Sequence, residues 1–487
     1  QYAKVDEEGR RAIERDTDQR RRRFERDLIE ALGVGFAWDI LGNQRTVIRG
    51  GYGIFYVSNF SYRENFGQTN GFASIGTPYN PADANAAFYP LFQLKNGYPR
   101  YPDQPIGSKA GQNLFASTQS LNFDESYAPT PRSQQWNLSI QRQLPWSWLL
   151  DVTYSGSHGT HLISGNYNLN QLDPALAKQY GANLNDVVAN PYAGRALGIW
   201  GAATVTRQQT LLPYPWLGGI TVRNPHMGSS SYNALLVTAE HRFGGGLTVL
   251  SSYTWAKLLS DSVVNPLGTG FGDEQGNETG YQSGLYNRRA ERSEDPTNIP
   301  QRWVLSAVYD LPFGKGRRYL NNGGLVDVLA GGWQVNTITT ATAGLPLIVR
   351  GANNGLANRP DILRKPSLPD NYVDPNPSAG VLWFDPTAFI NPAPYTFGNT
   401  PRTISNVRTP GAFLLDLSVF KNFRITERTR LQFRAEAFNM PNHVNLLPPN
   451  TTFSPQVGTG VNGNSAMGRI TSSRDGRNLQ FALKFMF

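Results

Sequence analysis

Residue types able to do chemistry are sparse and scattered in this 487-residue chain. There are five histidines, His158, His161, His226, His241 and His443, and no cysteine. The lack of cysteine excludes a disulfide framework and a thiolate metal site. His158 and His161 stand together in Ser157-His-Gly-Thr-His161, which could begin a two-ligand metal site, but the spacing places no third ligand and the pair is expected to open a loop. No His-Glu-x-x-His, Gly-x-Ser-x-Gly or Walker A pattern occurs. Phe313-Gly-Lys-Gly-Arg317 lacks the spacing and following helix of a phosphate loop and reads as a basic, hydrated turn. Gly270-Phe-Gly-Asp-Glu274 has the oxygens for weak cation binding and reads as a flexible loop. Asp416 and Glu436 could form a carboxylate pair for glycoside hydrolysis. Their place on successive strands of a polar wall makes charge pairing with Arg434 the simpler expectation. The chain is thus read as non-enzymatic, with no catalytic residue, metal site or cofactor.

The charge balance is 45 basic against 36 acidic residues, a net +9. Charged residues make up 17% of the chain, against about 25% in an average soluble domain. The basic residues are dispersed and no nucleic-acid module is present, so nucleic acid is not an expected partner. No stretch approaches the ~18 apolar residues of a membrane helix, which excludes a helical membrane protein but leaves a membrane β-barrel open. The opening Gln1-Tyr2-Ala3-Lys4 has neither an initiator Met nor a following apolar run, so the chain is expected to be mature or a fragment. Residues 1–32 form a charged segment with the run Arg20-Arg21-Arg22-Arg23, in which acidic residues cancel the basic ones. Phe24, Leu28 and Leu32 recur every four residues, as on a short helix. This segment is expected to be helical or disordered.

From Gly33 onward the dominant signal is alternation. Successive side chains of a strand point to opposite faces, so a period of two marks one apolar and one polar face. Leu479, Phe481, Leu483, Phe485 and Phe487 alternate with Gln480, Ala482 and Lys484. Leu431 and Phe433 alternate with Gln432, Arg434 and Glu436, and Phe413, Leu415, Leu417 and Val419 with Asp416 and Ser418. Upstream, Trp303 to Tyr309 alternates with Ser306 and Asp310, Leu235 and Val237 with Thr238 and Glu240, and Trp148 to Tyr154 with Asp151 and Thr153. Segments starting near Val34, Thr46, Trp136, Leu247 and Trp333 complete eleven expected strands.

Their connections alternate in length. Short turns at Gly42-Asn43, Pro145-Trp146, Gly244 to Gly246 and Thr426 to Arg428, with a longer one from Pro312 to Gly332, alternate with long Asn-, Gly-, Pro- and Tyr-rich segments. Short turns at one end and long loops at the other are the pattern of an outer-membrane barrel. Lipid offers no partner to a bare backbone N–H or C=O, so the sheet must satisfy those groups itself. Charges on the polar rows suit a wet lumen and would be costly in a soluble core. Recurrent Trp and Tyr, among them Trp38, Trp136, Tyr154, Trp255 and Trp333, are expected near strand ends at headgroup level.

These residues carry a resemblance. The terminal strand, Leu479 to Phe487, looks like the C-terminal strand of outer-membrane barrels, which the barrel-assembly machinery reads. Gly35-Phe-Ala-Trp-Asp39, Val47 to Tyr56, Tyr253-Thr-Trp-Ala-Lys257, Tyr309 to Arg317, Asp416 to Phe423 and Phe433 to Asn439 resemble, in this order, the barrel of TonB-dependent receptors of the Oar-like type common in Acidobacteria. The resemblance implies an all-β fold, an antiparallel up-and-down transmembrane β-barrel portion. It would hold about 11 strands of a 22-stranded barrel, with short periplasmic turns and long extracellular loops, over residues 33–487. It implies energy-coupled uptake of a solute such as an oligosaccharide, peptide or metal chelate. The implied partners are outer-membrane lipid and lipopolysaccharide, the barrel-assembly machinery, and TonB acting through a plug domain absent from this chain. Loop aromatics and Asn or Asp residues are the expected capture groups, and Asp151, Glu240, Asp310, Asp416, Gln432, Arg434 and Glu436 the expected lumen-facing wall. A passive porin-like channel and a soluble β-rich adhesin are the competing readings.

Overall fold

The computed structural model describes residues 33–56, 121–124, 129–191, 193–194, 201–215, 217, 219–223, 225–262, 286–321, 324–352, 359–426 and 429–487. The charged segment 1–32, the Gly270–Glu274 stretch and most of the first long connection lie outside the described residues.

One sheet dominates. Its main path runs through β1 (Gly33–Asp39), β2 (Thr46–Tyr56), β3 (Arg132–Leu144), β4 (Trp148–Leu162), β5 (Gly228–Gly244), β6 (Leu247–Ser260), β7 (Gln301–Asp310), β8 (Trp333–Thr342), β9 (Ala412–Arg424), β10 (Arg430–Phe438) and β11 (Asn478–Met486). Each pairs antiparallel with the next in chain order. The short strand Ser293–Glu294 adds to the end of β6. Among the described residues no ladder joins β1 to β11, so the sheet is open.

Up-and-down order puts every odd-numbered connection at one end. The first three of them are tight because the chain reverses through left-handed residues: Gly42 (φ 64°) and Gln44 (φ 59°), Trp146 (φ 58°) and Ser147 (φ 62°), and Gly245 (φ 68°) and Gly246 (φ 88°). The five long connections all leave from the other end. Several strands run past their apolar stretch toward that end. β4 continues to Leu162, so His158 and His161 sit within a strand and do not open a loop. For the same reason Trp136, Tyr154 and Trp255 fall inside strands and not near their ends. The backbone stays paired beyond the apolar belt because β3 accompanies β4 as far as Thr160 and β5 as far as Leu162.

The register decides the faces, since residues opposite one another in an antiparallel ladder share a side. One row reads Trp38, Ile48, Ile140, Val152, Val237, Tyr253, Trp303, Ala341 and Phe413 across nine strands. The adjacent row, on the other face, reads Ala37, Arg49, Ser139, Thr153, Leu236, Thr254, Arg302, Thr342 and Ala412. Large apolar groups on the first face stand exposed: Phe36 is 57% exposed, Trp255 60% and Phe481 68%.

The long connections fold into a crown of their own. Pro346–Leu347 pairs with Ile404–Arg408, Asp361–Ile362 with Phe389–Ile390, and Val381–Leu382 with Arg469–Ile470. The last of these joins the connection after β8 to the one after β10. Leu347, Val349, Phe384, Phe389, Ile404, Phe453 and Met467 pack as its core. Gly344 marks the crown's base, where an added Cβ would lie 1.7 Å from the Thr409 carbonyl oxygen. In the connection after β4, the helix Pro174–Tyr180 starts at Asp173, whose carboxylate accepts the Ala175 N–H at 2.8 Å. Its Ala177 packs with Leu172 and Leu184 in a second small cluster, against which Tyr395 rests.

Phe389 is 1% exposed at the centre of the crown core. Phe389→Ala should cost the crown about 3–5 kcal/mol by opening a cavity. Hydrogen exchange should show lost protection at 361–362 and 389–390, with the β7–β8 ladder unchanged.

Candidate functional site

The polar face of the sheet and the crown above it are the two regions where function can reside. All seven residues expected on the polar wall fall on one face in the register. Gln432 pairs with Asn422 and Lys484, Arg434 with Phe420 and Ala482, Glu436 with Ser418 and Gln480, and Asp416 with Ile338. Across the sheet, Asp310 pairs with Gln334, Glu240 with Leu250, and Asp151 with Thr238 and Gln141.

Neighbours on this face hydrogen-bond along and across strands. The Arg49 guanidinium donates to Gln141 Oε1 at 2.6 Å, Thr153 Oγ1 to Asp151 Oδ1 at 2.6 Å, Gln334 Nε2 to Asp310 Oδ1 at 2.9 Å, and Gln432 Nε2 to Asn422 Oδ1 at 2.9 Å. The expected pairing of Arg434 with Asp416 and Glu436 does not form. Register sets Arg434 opposite Phe420, and its guanidinium lies 4.7 Å from that ring while Nε donates to Gln432 Oε1 at 2.7 Å. Asp416 lies two same-face rows away and accepts the Asn439 N–H at 2.9 Å. The two carboxylates are therefore separate members of a hydrophilic surface and not a catalytic pair.

The crown is stapled to the sheet by arginines. Arg402 donates to the Ser260 carbonyl and hydroxyl oxygens, both at 2.7 Å, and to the Ser262 carbonyl at 2.9 Å. Arg359 meets Glu291 at 2.8 Å with side chains 4% and 1% exposed. Arg408 grips Glu294 with both contacts at 2.6 and 2.7 Å. Each pair ties the connection after β6 to the one after β8. No local sequence signal marked these residues, because each partner lies more than 60 positions away.

Between the connections after β8 and β10 opens a cavity of about 580 Å³. Leu368, Pro369, Leu382, Pro386 and Met467 supply apolar wall, and Tyr372, Gln456, Ser465 and Thr387 supply hydroxyl and amide groups. Its charges are already paired. Arg469 holds Asp374 in a two-pronged contact at 2.7 and 2.9 Å, and Arg364 meets Asp385 at 2.8 Å. The Arg469 hydrogen bonds, then the Asn376 N–H, hold the Asp374 carboxyl down at about 2. Asn462 and Asn464 spend their amides on backbone groups of their own loop. The cavity can therefore hold a neutral, partly apolar guest.

The histidines form no site. His226 and His241 each place Nδ1 against a backbone carbonyl, of Pro129 and Leu247. Among the described residues no group of three or more His, Asp and Glu is arranged to hold a metal ion.

A family model described as an outer membrane beta barrel domain matches residues 34–480. The chain belongs to this family of Gram-negative outer-membrane proteins. No curated protein matches it. Among solved structures it is similar to the outer membrane transporter YddB from Escherichia coli, with 11% identity, a TM-score of 0.39 and coverage of 93% of this chain and 40% of that one. It is also similar to the ferric-catecholate import receptor Fiu from E. coli K12 (9% identity, TM-score 0.35, 93% and 34% covered). A third is BauA, the ferric preacinetobactin receptor from Acinetobacter baumannii (8%, 0.37, 93% and 36%). The chain thus spans 40% or less of the length of these three.

Burial raises the Glu294 carboxyl, but hydrogen bonds from Arg408, Ser405 and Asn298 outweigh it and hold the group below its usual range. Its contribution is therefore complete above the unfolded value of 4.5 and is lost as pH falls through the lower folded value. Arg408→Ala should destabilise the crown by about 3 kcal/mol, because Glu294 is left buried without its cation. Exchange protection at 293–298 and 404–408 should drop at neutral pH, and the further loss of protection on acidification should be smaller than in the parent, because protonating Glu294 no longer breaks the pair.

Proposed function

We propose that this chain is the C-terminal part of the barrel of a TonB-dependent receptor of the Oar-like type, which takes up a scarce solute across the outer membrane by energy coupling. One observation carries the reading: eleven strands keep one predominantly apolar and one predominantly polar face beneath a folded crown confined to one end. Membrane transport needs both faces, one for lipid and one for water. A soluble adhesin would leave the apolar face without cover, far beyond the few hundred Å² that a soluble surface tolerates. The ordered motif series from Gly35 to Asn439 supports the receptor type.

In this reading Asp151, Glu240, Asp310, Asp416, Gln432, Arg434 and Glu436 hydrate the translocation path and offer hydrogen bonds to a plug supplied elsewhere in the receptor. The open edges support a half-barrel. In an eleven-strand up-and-down set the first and last strands run parallel, and bare edges have no partner in lipid. A closed receptor of about 22 strands would pair both edges with strands outside this sheet. Leu479, Phe481, Leu483, Phe485 and Phe487 form the strand read by the barrel-assembly machinery. Lipopolysaccharide surrounds the crown's rim, and the crown cavity captures the solute.

Four measurements test this. In cells carrying the full-length receptor, uptake should cease when the proton-motive force is collapsed. The reconstituted receptor should show no steady conductance, whereas persistent conductance with uptake unaffected by uncoupler would establish a passive channel. Leu305→Arg, on the apolar face, should weaken folding in vesicles by about 2–4 kcal/mol, while Ser306→Arg on the opposite face should change it little. Deleting Phe487 should reduce the amount of full-length receptor inserted in the outer membrane; normal insertion would remove the proposed role of the last strand.

A further inference from the structure

Among the described residues, the connection between β7 and β8 is the turn-end segment with substantial structure of its own. Phe313 bridges to Tyr319, and the basic turn between them carries Lys315, Arg317 and Arg318, all exposed. After it comes the helix Gly324–Ala330, whose sequence is Gly-Leu-Val-Asp-Val-Leu-Ala. Its one charged side chain is turned inward: Asp327 Oδ1 accepts the Lys315 N–H at 2.6 Å. What remains outside is apolar. Leu325 is 81% exposed, Leu329 72% and Val328 53%. Seven residues cannot hold a helix in water by themselves, so this one depends on what holds its end.

That anchor lies on the apolar face of the sheet. Trp333 Nε1 donates to the Leu329 carbonyl at 2.8 Å. Lys421 Nζ donates to the Leu329 carbonyl at 3.3 Å and to the Gly331 carbonyl. The ammonium also lies 5.3 Å from the Trp333 ring and 5.2 Å from Phe423. Trp333 and Lys421 are register partners, in line with Phe413, Leu415, Leu417 and Val419. A lysine in a lipid-facing row requires an explanation, and this contact gives one. Its charge turns toward the rim and caps the last carbonyls of a helix, where a cation is favoured. The helix is thus held at the lipid-facing margin of the barrel and not over its polar face.

We propose that the 312–332 connection is a membrane-docking pad for the periplasmic leaflet. In it Leu325, Val328 and Leu329 insert at the headgroup–acyl boundary, and Lys315 and Arg318 contact phospholipid phosphates. Two observations select this occupant: the pad is continuous with the apolar belt through Trp333, and cations beside exposed aliphatic groups match an anionic bilayer surface. Arg317 is partly engaged with Asp310 at 3.5 Å and is not counted among the headgroup contacts. The pad would fix the depth of the barrel at β7 and β8. The inference rests on the transmembrane reading, and its test separates the two.

This chain has no cysteine, so in a full-length receptor with any cysteine outside it replaced by serine, nitroxide labels are placed singly at Val328→Cys, at Leu305→Cys on the apolar face, and at Val457→Cys, which is fully exposed in the crown. The receptor is inserted in vesicles of phosphatidylethanolamine and phosphatidylglycerol. Accessibility to oxygen and to a water-soluble nickel chelate then gives each label's depth. Position 328 should lie about 5–10 Å below the phosphates, the depth of an interfacial helix. Lys315→Gln with Arg318→Gln should make it shallower. A label at 328 as exposed to nickel as the one at 457, while 305 remains in lipid, would overturn the pad alone. A water-exposed label at 305 would overturn the transmembrane reading itself. An unchanged depth in the double variant would remove the headgroup contacts from the proposal.

Discussion

Every feature of this chain depends on the requirement that backbone N–H and C=O groups find partners where water is absent. Between β1 and β11 the antiparallel ladders supply those partners strand by strand. Once the backbone is satisfied in this way, the two sides of the sheet are free to differ completely in character. The consequence is visible in adjacent rows of the register, where Trp38 to Phe413 contains no charged side chain and Ala37 to Ala412 contains two arginines. A soluble sheet would cover one face with a second layer. Here no described residues form a layer over the apolar face, and the outer membrane supplies the environment that such a layer would otherwise provide.

The crown obeys a different physics. It stands outside the apolar belt, where water is available, and it is built as a small globular structure. Its core of Leu347, Phe384, Phe389 and Phe453 is apolar, and its outer ties are arginine–carboxylate contacts. Charges paired at low exposure add little net stability compared with apolar packing, but a broken pair is costly. Such contacts are well suited to holding connections from different hairpins in one arrangement, because a guanidinium has fixed directions for its donors. The cavity between the connections after β8 and β10 owes its shape to these ties: Arg469 and Arg364 hold its charged walls in pairs, leaving hydroxyls, one amide and aliphatic groups toward the space.

The period of two was legible throughout, because side-chain alternation is a local property of an extended chain. The strand positions, the apolar and polar rows, the contrast of short and long connections, and the membership of Asp151, Glu240, Asp310, Asp416, Gln432, Arg434 and Glu436 in polar rows could all be read residue by residue. What could not be read was anything set by distant partners. Arg434 was expected to meet Asp416 and Glu436, yet the register sets it against Phe420. His158 and His161 were expected to open a loop, yet β4 runs on to Leu162, with His158 paired to both β3 and β5 and His161 at the register shift that follows.

The sequence by itself determined a two-faced antiparallel sheet and its turn end, since neighbouring residues alone dictate alternation and left-handed turns. Tertiary structure alone decided the crown, its arginine staples, the cavity they frame, and the seating of Lys421 under the helix Gly324–Ala330. Those depend on which residues meet across tens to more than a hundred positions. Only the closed network of ladders and buried pairs brings them together.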